Sequence, residues 1–471
     1  MKRFVLYVFF SFFCCVITFA QQSEWRDLIE NKQFEKVILQ AENLQPADSA
    51  DFFKAYILGQ AYEGLLKYKE AYDYYKHCYT LDSTRIDMLN TLARISGNLG
   101  RMKEAEKYYK QVVEYDSTNF YANYQLARLY VQSGNYEEGL KYYDYLLERD
   151  AENTILLRAI GDCYVNMDSM HIALDYYKKA FYNNMENASL ASTLINTLLN
   201  LYDPELNFYA MEAFFICDTA LSYNPENITL RQKEGLLYFM HTDYKKADSV
   251  YTSLMADRDS SFITLKYCGL SRFYSQSWYD AIEPFEKALE KEPKSSDICI
   301  LLGISLGRTY DVMKSFEYFD EAERLMAPDD YWVVFLAQFR AEMYAKIGDC
   351  DKSAEFYYQL WNREKKQLSG IIRPISCYSG QRNLPDIADD KKQKLLFLCF
   401  LYASEVSDIE NVTENTERDV NISYVRSILI KFQEEMFFRG MKNYTMVSPD
   451  KKNSIMSEEK LKELIKKLSK E

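Results

Sequence analysis

The segments AYDYY at residues 71–75, AEKYY at 105–109, GLKYY at 139–143 and ALDYY at 173–177 indicate the fold of this chain. Each begins with a small residue and ends with two tyrosines, and successive segments lie 34 residues apart. A small residue and a ring four positions later lie on the same face of a helix. The spacing therefore predicts a helical repeat in which the backbones approach closely at the small residue while the ring fills the space beside it.

The same pattern continues beyond these four segments. With the second tyrosine placed at position 24 of a 34-residue frame, position 20 is small in nine successive frames and position 24 is aromatic in eight of them. Position 20 holds Ala71, Ala105, Gly139, Ala173, Ala213, Ala247, Ala281, Ser315 and Ser353. Position 24 holds Tyr75, Tyr109, Tyr143, Tyr177, Cys217, Tyr251, Phe285, Phe319 and Tyr357.

The first half of each frame has its own signature. Leu58-Gly59 precedes Tyr62, and Ile160-Gly161 precedes Tyr164 in the same way. These residues resemble the tetratricopeptide repeat, which combines a Leu-Gly pair, a Tyr, two small residues and an aromatic residue in this order. The resemblance implies an all-α fold, a right-handed superhelical solenoid of antiparallel helix pairs with helical caps.

The frames predict a division of the chain into segments. Residues 1–20 read as a signal peptide, 21–51 as a partial capping repeat, 368–389 as a loop and 390–471 as a helical C-terminal region. The nine predicted repeats cover 52–85, 86–119, 120–153, 154–187, 188–227, 228–261, 262–295, 296–329 and 330–367. In the C-terminal region, an apolar stripe in the predicted helix 422–444 fits either a cap on the last repeat or a docking helix for a partner.

The N-terminus indicates export. Lys2 and Arg3 precede an apolar run from Phe4 to Phe19, and cleavage is expected after Ala20. An uncleaved anchor is the alternative, although the run is shorter than the roughly 20 residues of a membrane span. We expect the periplasm, the outer membrane or secretion in a diderm bacterium, and no membrane span in the mature chain.

Charge and motifs exclude several functions. Cleavage leaves 55 of the 57 basic residues against 70 acidic ones, a formal charge of −15, so no basic surplus exists for nucleic-acid binding. The three histidines are isolated, and no phosphate loop, dinucleotide fingerprint or CxxC pair occurs. The sequence predicts no enzyme, no catalytic residue, no metal site and no cofactor.

Most cysteines fall at positions where the repeat requires core residues, so we expect them to be buried thiols. Cys268 and Cys299 lie on the first helices of adjacent repeats. The sequence alone does not decide whether a disulfide joins them.

The resemblance places a partner-binding concave groove at positions 2, 5, 9, 12 and 13 of each repeat. In repeats 2 to 5 this wall is polar and aromatic, which suits an acidic peptide, a carboxylate or a sugar. A solvated groove with no ligand is the alternative. The polar wall comprises Asn90, Arg94, Asn98, Tyr121, Tyr124, Arg128, Gln132, Arg158, Asn166, Asn196 and Asn200.

In repeats 6 to 8 the same positions are apolar. A partner helix or the chain's own C-terminal helices would cover such a surface, because soluble proteins seldom expose large apolar patches. The apolar wall comprises Leu236, Phe239, Met240, Ile263, Leu270, Phe273, Tyr274, Ile300 and Ile304.

These features predict a non-enzymatic scaffold that binds a protein or peptide partner in the bacterial envelope. Capture of a glycan or small molecule in the groove is the alternative. Motifs such as Asp82-Ser83-Thr84 and Asp116-Ser117-Thr118 resemble an O-glycosylation motif of exported proteins in one group of diderm bacteria. They also fit inter-repeat turns, where Asp and Ser are common.

Overall fold

A computed structural model describes residues 23–42, 52–202, 208–309, 311–327, 332–363, 368–380, 384–405 and 416–469. The chain divides into two compact units, unit 1 up to Pro225 and unit 2 from Glu226. The predicted signal peptide lies outside the described residues.

Between residues 52 and 363, the described part of the chain forms nine antiparallel helix pairs, and successive pairs stack within each unit. The first helices are α3 Phe52–Gly64, α5 Ile86–Asn98, α7 Phe120–Gln132, α9 Thr154–Asn166, α11 Ala188–Asn200, α13 Ile228–Met240, α15 Phe262–Tyr274, α17 Ser296–Arg308 and α19 Trp332–Lys346. The second helices are α4 Tyr68–Leu81, α6 Met102–Tyr115, α8 Tyr136–Leu147, α10 Met170–Asn183, α12 Phe208–Tyr223, α14 Tyr244–Ala256, α16 Trp278–Lys291, α18 Val312–Leu325 and α20 Cys350–Arg363. The predicted solenoid of helix pairs is therefore confirmed.

A further helix pair precedes the first full one. Helix α1 covers residues 23–30 and α2 is Phe34–Glu42. Trp25, Val37 and Ala41 are buried with Ile57 and Leu58 of α3. The N-terminal segment therefore covers the apolar end of α3, as a capping repeat would.

The repeat core forms where position 24 meets the first helix. Both position 20 and position 24 are buried in all nine pairs. The ring of Tyr177 lies against Gly161 so closely that a Cβ atom on this glycine would be 2.5 Å from the ring. Phe285 lies on Gly269 in the same way. The glycine of the first helix thus provides the flat surface on which the ring packs.

Short polar turns connect the pairs. The Asp82 carboxylate accepts hydrogen bonds from the backbone N–H and the hydroxyl of Thr84, at 3.1 and 2.6 Å. Asp116 binds Thr118 in the same manner, and Asn119 then caps α7 by accepting from Ala122 N–H at 3.0 Å. These Asp-Ser-Thr motifs therefore have a structural role as turns that end one repeat and begin the next.

The C-terminal region differs from its prediction in two places. Its elements are a 3₁₀ turn Leu368–Ile371, α21 Ile372–Ser379, a 3₁₀ turn Leu384–Asp386, α22 Asp389–Glu405, α23 Thr416–Phe438, β1 Asn443–Val447, β2 Asn453–Ser457 and α24 Glu458–Lys467. The predicted loop 368–389 contains α21, in whose first turn Pro374 is tolerated because no N–H is needed there. The predicted helix to Tyr444 ends earlier, since Gly440 adopts a left-handed conformation with φ 65°.

Residues after Gly440 form an antiparallel hairpin in which Tyr444 faces Met456. Leu461 and Leu464 of α24 are buried in one apolar cluster with Leu429 and Phe432 of α23. This cluster also includes Cys350 and Ala354 of α20. The C-terminal elements therefore pack on the last helix pair, which agrees with a cap.

One disulfide occurs among the described cysteines, between Cys350 of α20 and Cys377 of α21. The bridge between Cys268 and Cys299 that the sequence left open does not form, and both residues are buried free thiols. Cys377 lies in the segment predicted as a loop, so its partner could not be inferred from the repeat pattern.

No described helix has both the length and the apolar character needed to cross a membrane.

Candidate functional site

A cleft of about 350 Å³ opens in unit 1 between the second and third helix pairs. We call it the polar cleft. Helices α5, α6 and α7 contribute its walls, and three of its side chains are carboxamides. It is lined by Ala93, Arg94, Gly97, Asn98, Met102, Ala105, Tyr109, Tyr121, Gln125, Arg128, Leu129 and Gln132.

Arg94 is fixed at one side of the polar cleft by a carboxylate of the preceding repeat. Its guanidinium donates to both oxygens of Glu63, with Nη2 to Oε2 at 3.0 Å. The Tyr75 hydroxyl donates to the same carboxylate at 2.9 Å. Burial, and then the charge of Glu63, raise the pKa of the Tyr75 hydroxyl, so it remains a donor. The pairing neutralises Arg94 and gives it a defined orientation.

Arg128 lies on the opposite helix and has no such partner. Its Nη1 donates to Gln125 Oε1 at 3.3 Å, and no described carboxylate lies within ion-pair distance. Tyr121 is 41% exposed beside it, with its ring packed edge-on against Tyr109 at 6.1 Å. Burial raises the pKa of Tyr109, and Tyr121 adds to the rise. The polar cleft therefore presents one uncompensated cation and neutral hydrogen-bonding groups.

The structure brings together only part of the predicted polar wall. Arg94, Asn98, Tyr121, Arg128 and Gln132 line the polar cleft. The remaining predicted residues do not line it, namely Asn90, Tyr124, Arg158, Asn166, Asn196 and Asn200.

These other residues have separate surroundings in unit 1. Tyr124 stacks on Phe120 at 6.0 Å and tilts against Tyr143 at 5.7 Å. Arg158 donates to Ser189 of the next repeat at 3.0 Å. Asn166 donates to the backbone of its own helix, while Asn196 and Asn200 are exposed on α11. Asn90 is half-buried, and its Oδ1 has no partner among the described residues.

Gln125 is a cleft residue that the sequence did not identify. It occupies position 6, directly after the expected groove position of Tyr124. The aromatic ring at position 5 turns toward the position-24 ring of its own repeat, which leaves position 6 to face the cleft. A large aromatic residue at position 5 is the sequence signal for this exchange.

Part of the apolar wall in unit 2 is core rather than surface. Ile300 and Ile304 are buried, and so are Leu270 and Phe273, whose cluster includes Met343 of a later repeat. Leu236, Phe239 and Met240 are half-buried, while Ile263 and Tyr274 remain exposed. The predicted apolar binding surface is corrected accordingly, because neighbouring repeats cover four of its nine residues. The cluster around the C-terminal helices does not include them.

Among the described residues, no group of three or more His, Cys, Asp or Glu side chains could hold a metal ion.

Comparison with known proteins identifies the repeat. No curated protein sequence matches this chain. Similar solved structures include a tetratricopeptide repeat protein from Parabacteroides merdae, with 17% identity, a TM-score of 0.39 and coverage of 52% of this chain and 94% of that one. The C-terminal part of a TPR repeat-containing protein from Cytophaga hutchinsonii has 15% identity, a TM-score of 0.41 and coverage of 50% and 94%.

MamA from Desulfovibrio magneticus RS-1 has 20% identity, a TM-score of 0.33 and coverage of 36% and 94%. Sequence models of the tetratricopeptide repeat match residues 55–85 and residues 98–163. These segments are therefore tetratricopeptide repeats, helix-pair units through which proteins bind other proteins.

Proposed function

We propose that this chain is an exported, non-enzymatic scaffold of the bacterial cell envelope, and that the polar cleft binds a peptide segment of a partner protein. The observation that carries the proposal is Arg128, a cation without a described carboxylate partner, beside the exposed Tyr121. Both side chain types often dominate the binding energy of protein interfaces.

The neutral groups of the polar cleft favour a peptide as ligand. Asn98, Gln125 and Gln132 each carry a carboxamide, which both donates and accepts hydrogen bonds. A peptide backbone offers donors and acceptors in alternation, so a row of carboxamides can pair with it. Arg128 would then select a carboxylate or another acceptor on the bound segment. Arg94 is already paired with Glu63 and would hold the cleft wall in place.

Two features support export. The first residues have the composition of a signal peptide, and the bridge between Cys350 and Cys377 is of a kind that persists in oxidising compartments. The periplasm or outer membrane of a diderm bacterium is such a location. The intact mass of the native protein is expected to correspond to a chain that begins at Gln21.

Affinity purification of tagged protein from the native envelope tests the binding role. We expect the double variant Tyr121→Ala/Arg128→Ala to recover a partner protein at least about fivefold less than the unmodified chain does. Lys107→Ala/Tyr115→Ala is the matched control, because it removes one exposed cation and one exposed tyrosine from α6 outside the polar cleft. Partners are identified and quantified by mass spectrometry.

Equal recovery by both double variants would exclude the polar cleft as the binding site. A bound glycan without any protein partner would favour ligand capture instead. Circular dichroism of both variants serves to show that the helices are intact.

A further inference from the structure

A second cleft, in unit 2, concentrates positive charge in a strongly acidic chain. We call it the basic cleft. It has a volume of about 550 Å³ and lies where α17 and α19 meet α21. Three cations and one carboxylate are among its lining residues, which are Arg308, Glu342, Met343, Ala345, Lys346, Gly348, Arg373, Ser376, Cys377 and Gly380.

Glu342 lies at the centre of the charged group. Arg308 Nη1 is 2.9 Å from Glu342 Oε1, and Arg308 Nη2 is 3.4 Å from Oε2. Arg373 Nη1 approaches Oε1 at 3.6 Å. The ammonium of Lys346 donates to the backbone oxygen of Gly307 at 2.6 Å. One carboxylate therefore pairs with two guanidinium groups, which gives the Arg308–Glu342–Arg373 group a positive charge of one in a chain whose formal charge is −13.

The exposure of these side chains shows which of them an incoming ligand would meet. The Glu342 side chain is only 12% exposed, whereas the side chains of Arg308 and Arg373 are 37% and 57% exposed. The carboxylate thus lies beneath the two guanidinium groups. Each guanidinium has five N–H donors, of which Glu342 engages at most two, so donors remain for a second carboxylate.

The last repeat alone does not form this site, because Arg373 comes from α21. The disulfide between Cys350 and Cys377 attaches α21 to the start of α20. The Tyr378 hydroxyl also donates to Asp351 of α20. These links hold α21 on α20, and Arg373 of α21 lies within ion-pair distance of Glu342.

We propose that the basic cleft binds an acidic segment of a partner polypeptide, and that Glu342 occupies part of the site as an internal competitor. Guanidinium pairs recognise carboxylates through parallel N–H···O bonds. A cleft of about 550 Å³ holds several side chains rather than one small ion, and Met343 and Ala345 give it an apolar wall for the stem of an acidic side chain. This site is independent of the polar cleft.

Fluorescence anisotropy with a labelled, terminally capped tetraglutamate peptide tests the proposal on the full mature chain. All proteins carry Arg128→Ala, so that the polar cleft cannot account for binding. Arg308→Ala and Arg373→Ala are each expected to weaken binding about tenfold, since each removes charge-assisted hydrogen bonds. Arg324→Ala, which removes an exposed cation of α18, is the matched control and is expected to leave the affinity within about twofold.

Glu342→Gln separates a binding role from a structural one. Removal of the internal carboxylate releases Arg308 and Arg373 and is expected to tighten peptide binding about three- to tenfold. A role confined to stability would not produce tighter binding. Opening of the disulfide by a reductant is expected to weaken binding, because α21 loses its attachment.

Three outcomes would overturn the proposal. The first is unchanged peptide binding in Arg308→Ala and Arg373→Ala, and the second is an unchanged or lower affinity in Glu342→Gln. The third is inorganic phosphate that binds as tightly as the peptide, which would show a site for a small ion only.

Discussion

At the scale of single residues, an aromatic ring at position 24 and a glycine in the facing helix hold each of several helix pairs together. The glycines are Gly59, Gly161, Gly235, Gly269 and Gly303, and in every case the nearest atoms to an added Cβ would belong to the position-24 ring. Interiors packed to this density do not accept an additional methyl group without displacement of a ring.

Gly161→Ala is expected to destabilise unit 1 by about 1–3 kcal/mol, because the new Cβ would overlap the buried Tyr177 ring. Gly97→Ala is the matched control in α5, another first helix of unit 1, since nothing lies within 4 Å of its added Cβ. That control is expected to be neutral or to stabilise by up to about 1 kcal/mol, because alanine favours the helix over glycine. Urea denaturation followed by circular dichroism measures both effects, and equal stability of the two variants would contradict this packing.

The burial of the position-24 rings in the hydrophobic core could be predicted from the sequence, because their spacing repeats. The side on which an individual groove residue lies could not. Tyr124 occupies an expected groove position but turns to Tyr143, and Gln125 faces the polar cleft instead. Which of two adjacent residues faces the cleft depends on how the neighbouring rings pack in three dimensions. The periodicity of the sequence carries no information about that packing.

At the scale of elements, the helix pairs could be predicted and the C-terminal elements could not. The pairs repeat the same pattern, so each frame supports the next. The region after α20 has no second copy with which to compare it. The glycine and proline residues of this region favoured the prediction of a loop. In the structure the Tyr357 ring packs against Gly370, and Pro374 lies in the first turn of α21. The buried pair of Lys392 and Glu435, at 2.9 Å, joins α22 to α23 through residues that are distant in sequence.

Removal of the disulfide is expected to loosen α21 without changing unit 1. The bridge closes a segment with a sequence separation of 27, and such a loop stabilises the folded state by about 3.5 kcal/mol in the chain-entropy model. In Cys350→Ser/Cys377→Ser, amide hydrogen exchange in Ile372–Ser379 is therefore expected to become faster, while α5 retains its rate.

The unmodified chain provides the control for this prediction. A reductant is expected to raise its exchange in α21 to the rate of the double variant, and to leave the double variant unchanged. Identical exchange in α21 under all four conditions would mean that the disulfide contributes nothing to its stability.

At the scale of the whole molecule, periodicity did not reveal the division into two units. The repeat pattern is present on both sides of Pro225 and Glu226, so the repeat frames carry no signal for this boundary. The two clefts also differ in how far the sequence alone predicts their residues. The polar cleft combines residues of adjacent repeats, and the expected groove positions identified three of its four charged and aromatic residues, all except Tyr109. The basic cleft requires Arg373 of α21, whose proximity to Arg308 and Glu342 depends on the packing of the C-terminal elements.

The central claim is that the polar cleft of unit 1 contacts a partner protein. Site-specific photocrosslinking in native cells tests this claim most directly, with p-benzoylphenylalanine in place of Tyr121 or of Tyr115. Both tyrosines are exposed, at 41% and 68%, but only Tyr121 lines the polar cleft. We predict a covalent adduct with a distinct partner protein from position 121 and none from position 115. No adduct from position 121, or the same adducts from both positions, would contradict the account.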